Sequence, residues 1–300
     1  MSTRLCALAV PAAFAAVYSI WGSTYAAIAV AVEDLPPLTM AAARWTLAGG
    51  ALYALSRARG APAPGARAWR HGAIAGALLI ALGNGLVCWA EARIDSGLAA
   101  TLLAITPFLV VLLDWIALRG ERPAPATWAA LALGLVGVAI LAGPSLSSDL
   151  GALAALSCAA LAWAVGALYL RHRGGGAPGL MGSATQMIAG GVALALAGAA
   201  VGEPWPTSVS LEAGLAVGYL AVFGSIVGFG AFGYLARRVE PALLATHSFV
   251  NPVIAVMLGW LVLGERLDPR GAVGATLVVG AVALSVLRPR ALAGPVASTR

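Results

Sequence analysis

The sequence predicts an all-α polytopic membrane protein of ten transmembrane helices, built as two inverted five-helix repeats with both termini in the cytoplasm. Three observations lead there: composition, the length of the apolar runs, and a second half that echoes the first. With 61% hydrophobic residues, 10% charged residues and a mean hydropathy of +0.91 over 300 residues, the chain lies far from the composition of a soluble globular domain. Its apolar runs of about 18 to 24 residues suit helices crossing a hydrocarbon core of about 30 Å, and the alternating ten-residue strands of a membrane barrel are not seen.

Hydropathy and loop punctuation place the helices at 8–31, 38–56, 72–90, 96–118, 125–142, 150–170, 180–201, 212–235, 242–263 and 270–287. The first follows Arg4 and could imitate a signal peptide. It continues to about Val32 and carries Trp21 and Tyr25, longer than a signal h-region of about 7 to 15 residues, and reads as a retained helix. In the second, Arg44 lies a turn or two below the outer surface. Its guanidinium is expected to snorkel outward or to pair with Glu33, Asp34, Glu91 or Asp95, a structural or gating role; the alternative is direct binding of a substrate carboxylate.

In the third helix, Gly72 and Gly76 allow close helix approach, and Asn84, between Gly83 and Gly85, falls near mid-depth as an interhelical hydrogen-bonding group or a substrate contact. The fourth holds Pro107 about twelve residues in, and Asp114 near its cytoplasmic end, where Arg119 or Arg122 would neutralise it. The sixth carries Trp163 and the seventh Gln186. The eighth has Gly214, Gly218, Gly224 and Gly228, and the ninth has His247, Asn251 and Pro252.

All eighteen basic residues are Arg, with no Lys, and Ala and Gly are abundant, as in high-GC bacterial coding. With the N-terminus inside, fourteen Arg fall in the cytoplasm, three outside (Arg93, Arg266, Arg270), and Arg44 within a helix. That distribution obeys the positive-inside rule without moving a boundary. It also explains the +6 net charge better than nucleic-acid binding does, since the Arg residues form no stripe with interleaved aromatics.

Residues 93–118 match 238–263 at a constant offset, pairing Leu98 with Leu243, Thr101 with Thr246, Pro107 with Pro252 and Trp115 with Trp260. After a one-residue slip, Gly120-Glu121-Arg122 pairs with Gly264-Glu265-Arg266. Upstream, Trp21 pairs with Trp163 and Gly49-Gly50 with Gly190-Gly191. The unit of about 142 to 145 residues holds five helices. An odd number forces the second copy into the membrane upside down, the architecture of secondary transporters whose site lies where the repeats meet. The expected organisation is a first repeat at 1–145, an inverted second at 146–290 and a cytoplasmic tail at 291–300.

Pro107 and Pro252 each remove one helical hydrogen bond, freeing the carbonyls of Leu103 and Ser248, so each is expected to kink its helix, for packing or to face a wet cavity. His247 and Asn251, four apart, share a face with mirror partners Leu102 and Thr106. Ionisable and polar side chains at depth mark pathways, though a buried His is also a common structural residue. Trp21 and Trp163 near mid-depth suit a cavity that stacks flat or apolar substrates, or serve as bulk among Gly and Ala. No carboxylate is expected at mid-depth, which leans toward facilitated export or coupling through His247. Cys6, Cys88 and Cys158 show no metal-ligand spacing and read as small apolar fillers, so no metal or cofactor is expected.

The runs "SIWGSTYAAIAV", "PPLTMAAARWTLAGG" and "NPVIAVMLGWLVLGERLDPRGAVGATLVVGAVAL" together resemble the EamA-type members of the drug/metabolite transporter superfamily over nearly the whole chain. The resemblance implies a bacterial plasma (inner) membrane exporter of small metabolites with a central cavity formed by both repeats, most like the YddG-like exporters of aromatic amino acids. Purine, nucleoside and drug exporters share the motifs. The first repeat departs from the pattern, reading "RGER" where the second reads "LGER".

The expected substrate site comprises Trp21, Asn84, Trp163, His247 and Asn251, with Pro107, Pro252 and Arg44 as kink or gating residues. The expected partners are a small molecule and the lipid bilayer, with no nucleic acid, and the chain is expected to act as a monomer. An enzyme would need a clustered nucleophile, base or metal set, yet the three His stand at 71, 172 and 247, the first two assigned to cytoplasmic loops. A channel would show a repeated charged or carbonyl-lined filter, and no such element is visible. Within transport, an aromatic cavity with few charges would favour amphiphilic or aromatic substrates, whereas a buried Arg–carboxylate pair would favour zwitterions.

Overall fold

The computed structural model describes residues 3–94, 96–118, 122–142, 149–173, 176–239, 241–244, 246–263 and 269–286. All regular structure among them is helical. In order come α1 (Thr3–Asp34), α2 (Pro37–Ala58), α3 (Ala66–Gly76), a π-helical stretch Ala77–Leu82, α4 (Gly85–Glu91), α5 (Ser96–Leu103), α6 (Thr106–Ala117), α7 (Pro125–Ala142) and α8 (Leu150–His172). Then follow α9 (Gly179–Ala200), α10 (Leu211–Tyr219), a second π-helical stretch Leu220–Phe229, α11 (Gly230–Ala236), α12 (Pro241–Leu244), α13 (His247–Leu263) and α14 (Pro269–Val286).

Five helical runs are long and apolar enough to cross a bilayer: Ala9–Asp34, Ala66–Glu91, Leu150–His172, Gly179–Ala200 and Leu211–Ala236. Thr106–Ala117, Pro125–Ile140 and Ala272–Ala281 are shorter apolar helices. Helix is what such sequences must form in lipid, because only intrasegment bonds satisfy the backbone there. The chain is a polytopic helical membrane protein.

Lipid tails are as apolar as Leu, so the helices associate through close van der Waals packing at small residues. Along the α2–α9 contact, a Cβ on Gly49 would come 2.8 Å from the Ile188 backbone nitrogen, and one on Gly191 would come 2.9 Å from that of Thr46. Gly72 and Gly76 of α3 approach α9 in the same way, against Thr185, Gln186 and Gly190. Gly137 of α7 meets Gly274 and Val278 of α14. In the eighth sequence-predicted helix only half of the glycine stripe is used: Gly224 and Gly228 are tightly packed, whereas Gly214 and Gly218 have nothing within 4 Å of a Cβ position.

Three of the helices begin at acceptors for their free N–H groups. Asp149 accepts from Ala152 N at 2.9 Å at the start of α8, and Ser210 from Ala213 N at 3.1 Å at the start of α10. α2 opens with Pro37, a residue suited to the first turn, and its next two amides are capped from afar. Glu203, just beyond α9, accepts from Leu38 N at 3.0 Å, Thr39 N at 2.7 Å and the Thr39 hydroxyl at 2.8 Å. A carboxylate at this end also complements the helix dipole.

Several expectations change. α1 starts at Thr3 and the third helix at Ala66, ahead of the sequence-predicted 8 and 72. The fourth predicted helix is two helices, broken at Ala104–Ile105, so Pro107 lies in the first turn of α6, where a missing N–H costs nothing, instead of kinking a continuous helix. Leu103 O accepts from the Thr106 hydroxyl at 2.6 Å. In the ninth, α12 and α13 are separate, and Pro252 lies inside α13. Asp114 is met by His172 Nε2 at 2.8 Å; Arg119 lies outside the described residues. His71 and His172 are both helical, not in loops, and His71 Nδ1 is hydrogen-bonded with the Tyr169 hydroxyl at 2.5 Å, tying α3 to α8. Of the cysteines, Cys88 is buried, Cys158 exposed, and the Cys6 side chain lies outside the described residues.

Replacing Glu203 with Ala strips three donors of their acceptor and should lower stability by about 1–2 kcal/mol. Thermal unfolding in detergent would read this as a reduced midpoint, while Glu212→Ala, an exposed first-turn residue of α10, should change it by less than about 0.5 kcal/mol.

Candidate functional site

A cavity of about 70 Å³ sits where α1, α2, α8 and α13 meet the irregular stretches of the third and fourth predicted helices. α1 contributes Trp21, Thr24, Tyr25 and Ile28, one helical stripe at three- and four-residue spacing. α2 contributes Arg44 and Trp45; the end of the first π-helical stretch and α4 give Gly83, Asn84 and Val87; Leu103 and Thr106 flank the break between α5 and α6. α8 adds Ala159 and Trp163, and α13 adds His247, Ser248 and Asn251. A space of this size holds a few waters, so a larger ligand requires the walls to part.

Two indoles form the floor. Trp21 and Trp163 meet edge to face with ring centroids 5.3 Å apart, and each packs on a glycine of the other half of the chain. A Cβ on Gly228 would come 2.5 Å from Trp21 Nε1, and one on Gly83 would come 2.9 Å from Trp163 Cε3. Trp21 Nε1 donates to Gly224 O at 3.0 Å, within the second π-helical stretch. Such π stretches interrupt the regular ladder and recur at functional sites. Phe232 and His247 complete the ring cluster, at 5.2 and 5.0 Å from Trp21.

His247 is 5% exposed. Together with Trp163 and Thr106 it separates the cavity from a smaller one of about 10 Å³ that reaches Arg171 and Val239. Arg171 Nη1 donates to Val239 O at 2.9 Å on that side. The Tyr18 hydroxyl is hydrogen-bonded with Thr246 Oγ1 at 2.7 Å, pinning the junction before α13 to α1.

Asn84 Oδ1 accepts from Trp45 Nε1 at 2.8 Å, so this side chain is an interhelical hydrogen-bonding group that also lines the cavity. Asn251 is 3% exposed, and its Oδ1 has no hydrogen-bond partner. Ser248, whose helical carbonyl bond Pro252 removes, lies beside it in the wall.

Arg44 departs from expectation. It neither snorkels nor pairs with a described carboxylate: it is 2% exposed, Nε donates to Ser225 Oγ at 2.9 Å, and Nη1 has no partner. The cause is space on the second π-helical stretch, where Gly224 leaves room for the guanidinium; a Cβ there would come 2.8 Å from Nη2. Glu91, expected near the outer end, is 7% exposed with neither oxygen partnered.

The five side chains expected as a substrate site, Trp21, Asn84, Trp163, His247 and Asn251, thus share one cavity, with Arg44 among them. Pro107 and Pro252 do not line it. The sequence reading missed Thr24, Trp45, Thr106, Ser248 and Phe232 as parts of the cavity or its ring cluster. The three- and four-residue spacing from Trp21 would have found Thr24; nothing in the sequence flagged Phe232.

A helical bundle with an enclosed polar and aromatic cavity between its helices has the form of a membrane transporter. The chain belongs to the EamA-like transporter family, whose profile matches residues 8–143 and again residues 150–287. It is 39% identical over 274 residues to the "Uncharacterized inner membrane transporter YedA" of Escherichia coli (strain K12), covering 91% of this chain and 89% of that one. It is 28% identical over 270 residues to the "Probable terminal-alkyne amino-acid exporter" of Streptantibioticus cattleyicolor, covering 88% and 89%. A solved crystal structure shares the fold with a TM-score of 0.75 at 24% identity, over 93% of this chain and 97% of that one. The chain is therefore a polytopic membrane transporter of this family.

Gly228→Ala should push Trp21 off its seat and cost about 1–3 kcal/mol by overpacking. The check is the unfolding midpoint in detergent together with tryptophan emission. Gly50→Ala, with nothing within 4 Å, should leave both unchanged or raise the midpoint slightly.

Proposed function

We propose that the protein exports amino acids, aromatic ones favoured, by alternating access through the central cavity. In this reading 1–145 and 146–290 are inverted five-helix halves, giving ten spans with both termini cytoplasmic and 291–300 as a cytoplasmic tail. Two kinds of observation support the halves: the family profile matches twice, and the packing is reciprocal. α1 packs against α10, α11 and the stretch between them as α8 packs against the stretch between α3 and α4, and against α4 itself; α1 meets α13 as α8 meets α6.

The observation that carries the proposal is the cavity wall. Both halves supply it from register-equivalent positions: Trp21 and Trp163, Leu103 and Ser248, Thr106 and Asn251. Rocking one half against the other would expose this wall to each side in turn. Trp21, Trp163 and Trp45 offer faces for a flat side chain, and Asn84, His247 and Asn251 offer polar contacts. In this reading Arg44, which lines the cavity, acts as a binding group in preference to a gate, and the breaks near Pro107 and inside the ninth predicted helix act as joints.

The same aromatic wall would accept a purine, nucleoside or apolar drug, so the test compares these classes. Uptake of labelled aromatic and small polar amino acids, purines and a cationic drug into proteoliposomes is measured with and without a pH gradient. Amino-acid uptake is expected, and Trp163→Ala and His247→Ala should each reduce it about tenfold, through lost stacking and hydrogen bonding. Uptake of purine or drug alone would overturn the amino-acid reading.

A further inference from the structure

Arg44 and Glu91 are an anomaly of the bundle. Each is a buried ionisable residue with buried atoms that have no partner: Nη1 of Arg44, and both carboxyl oxygens of Glu91. They are near enough to interact electrostatically, yet form no ion pair. Buried charges are ordinarily paired, because desolvation is otherwise uncompensated. Gln186 Oε1, which does not line the cavity, and Asn251 Oδ1, in the cavity wall on α13, are also unpartnered; the Asn251 side chain is hydrogen-bonded with Tyr25.

These groups are complementary to one kind of ligand. In the cavity wall, Arg44 offers a free guanidinium N–H to an anion, and Asn251 offers a free oxygen to a cation. The floor of Trp21 and Trp163 is apolar. We propose that Arg44 Nη1 binds the α-carboxylate of a zwitterionic amino acid and that Asn251 Oδ1 receives its ammonium.

This rests on the exporter reading above and adds the groups that recognise the common backbone of its substrates. The side chain is then directed to the indoles. A ligand lacking either pole would leave one buried polar group unmatched, either Arg44 Nη1 or Asn251 Oδ1, which is how a polar site rejects an analogue without the matching group.

The test is transport by the full-length protein in proteoliposomes, with three probes of one shape: phenylalanine, phenethylamine, which lacks the carboxylate, and 3-phenylpropionate, which lacks the ammonium. An alanine, ethylamine and propionate series runs beside it. The wild type should move the amino acid at least about tenfold faster than either truncated analogue. Arg44→Gln should reduce phenylalanine transport about tenfold or more while leaving phenethylamine transport near its wild-type rate, erasing the preference. Asn251→Leu should instead erase the preference over 3-phenylpropionate.

The wild-type series and Asn251→Leu need no change at Arg44, so they decide the matter if that variant does not fold. Amino-acid transport with all three probes within about twofold of one another, or a preference retained in Arg44→Gln, would overturn this assignment and leave the exporter reading standing. Transport of neither amino acid by the wild type would overturn both.

Discussion

The seat of each indole on a glycine is the contact on which the centre of the molecule depends. In lipid no hydrophobic force drives helix against helix, so position is set by how closely backbones approach and by what fits between them. Trp21 reaches the wall only because Gly228 has no Cβ, and Trp163 only because Gly83 has none. The Trp21 Nε1–Gly224 O bond fixes the ring's orientation. From that pair the ring cluster with Phe232 and His247 follows, and with it the partition between the central cavity and the smaller one toward Arg171.

Irregular backbone surrounds the cavity. The first π-helical stretch ends beside Gly83 and Asn84, the α5–α6 break lies beside Leu103 and Thr106, and the start of α13 gives His247 and Ser248. Each departure from the helical ladder leaves polar backbone to be satisfied, and in a membrane it can persist only where protein or water does so. The hydroxyls of Thr106 and Thr246 do part of this, donating to Leu103 O and Leu243 O at 2.6 Å. Concentrating such features at one place makes the walls of the cavity the least regular part of a bundle that is otherwise continuous helix.

Charge is distributed on a different principle. At the Arg-rich ends, His71 with Tyr169 and His172 with Asp114 tie helices together where water is near. Arg44 and Glu91 lie inside without an ion pair among the described residues, and Nη1 of the one and both oxygens of the other have no hydrogen-bond partner. The second π-helical stretch makes the Arg44 burial possible by placing Gly224 against the guanidinium and Ser225 within reach of Nε.

Composition and run length were enough to define a polytopic helical membrane protein, because about twenty apolar residues leave the backbone one way to satisfy itself in hydrocarbon. Trp21 on α1 and the polar exceptions Asn84, His247 and Asn251 were likewise legible, since a large aromatic or polar group in a run of small apolar residues stands out whatever it touches. The site was less so. Phe232 looked like any apolar residue, and its role arises from which rings come to meet it. Arg44 was expected at the surface because a long basic side chain usually escapes to water. The tertiary structure decided otherwise, by placing a glycine-lined pocket of another helix where the guanidinium could stay. Pro107 shows the same division: the sequence determines that a hydrogen bond is missing, but the break one turn earlier, which puts that loss in a first turn, depends on the helices packed around it. Local chemistry is written along the chain, whereas burial, partnership and the position of a break are properties of neighbours that only the folded molecule brings together.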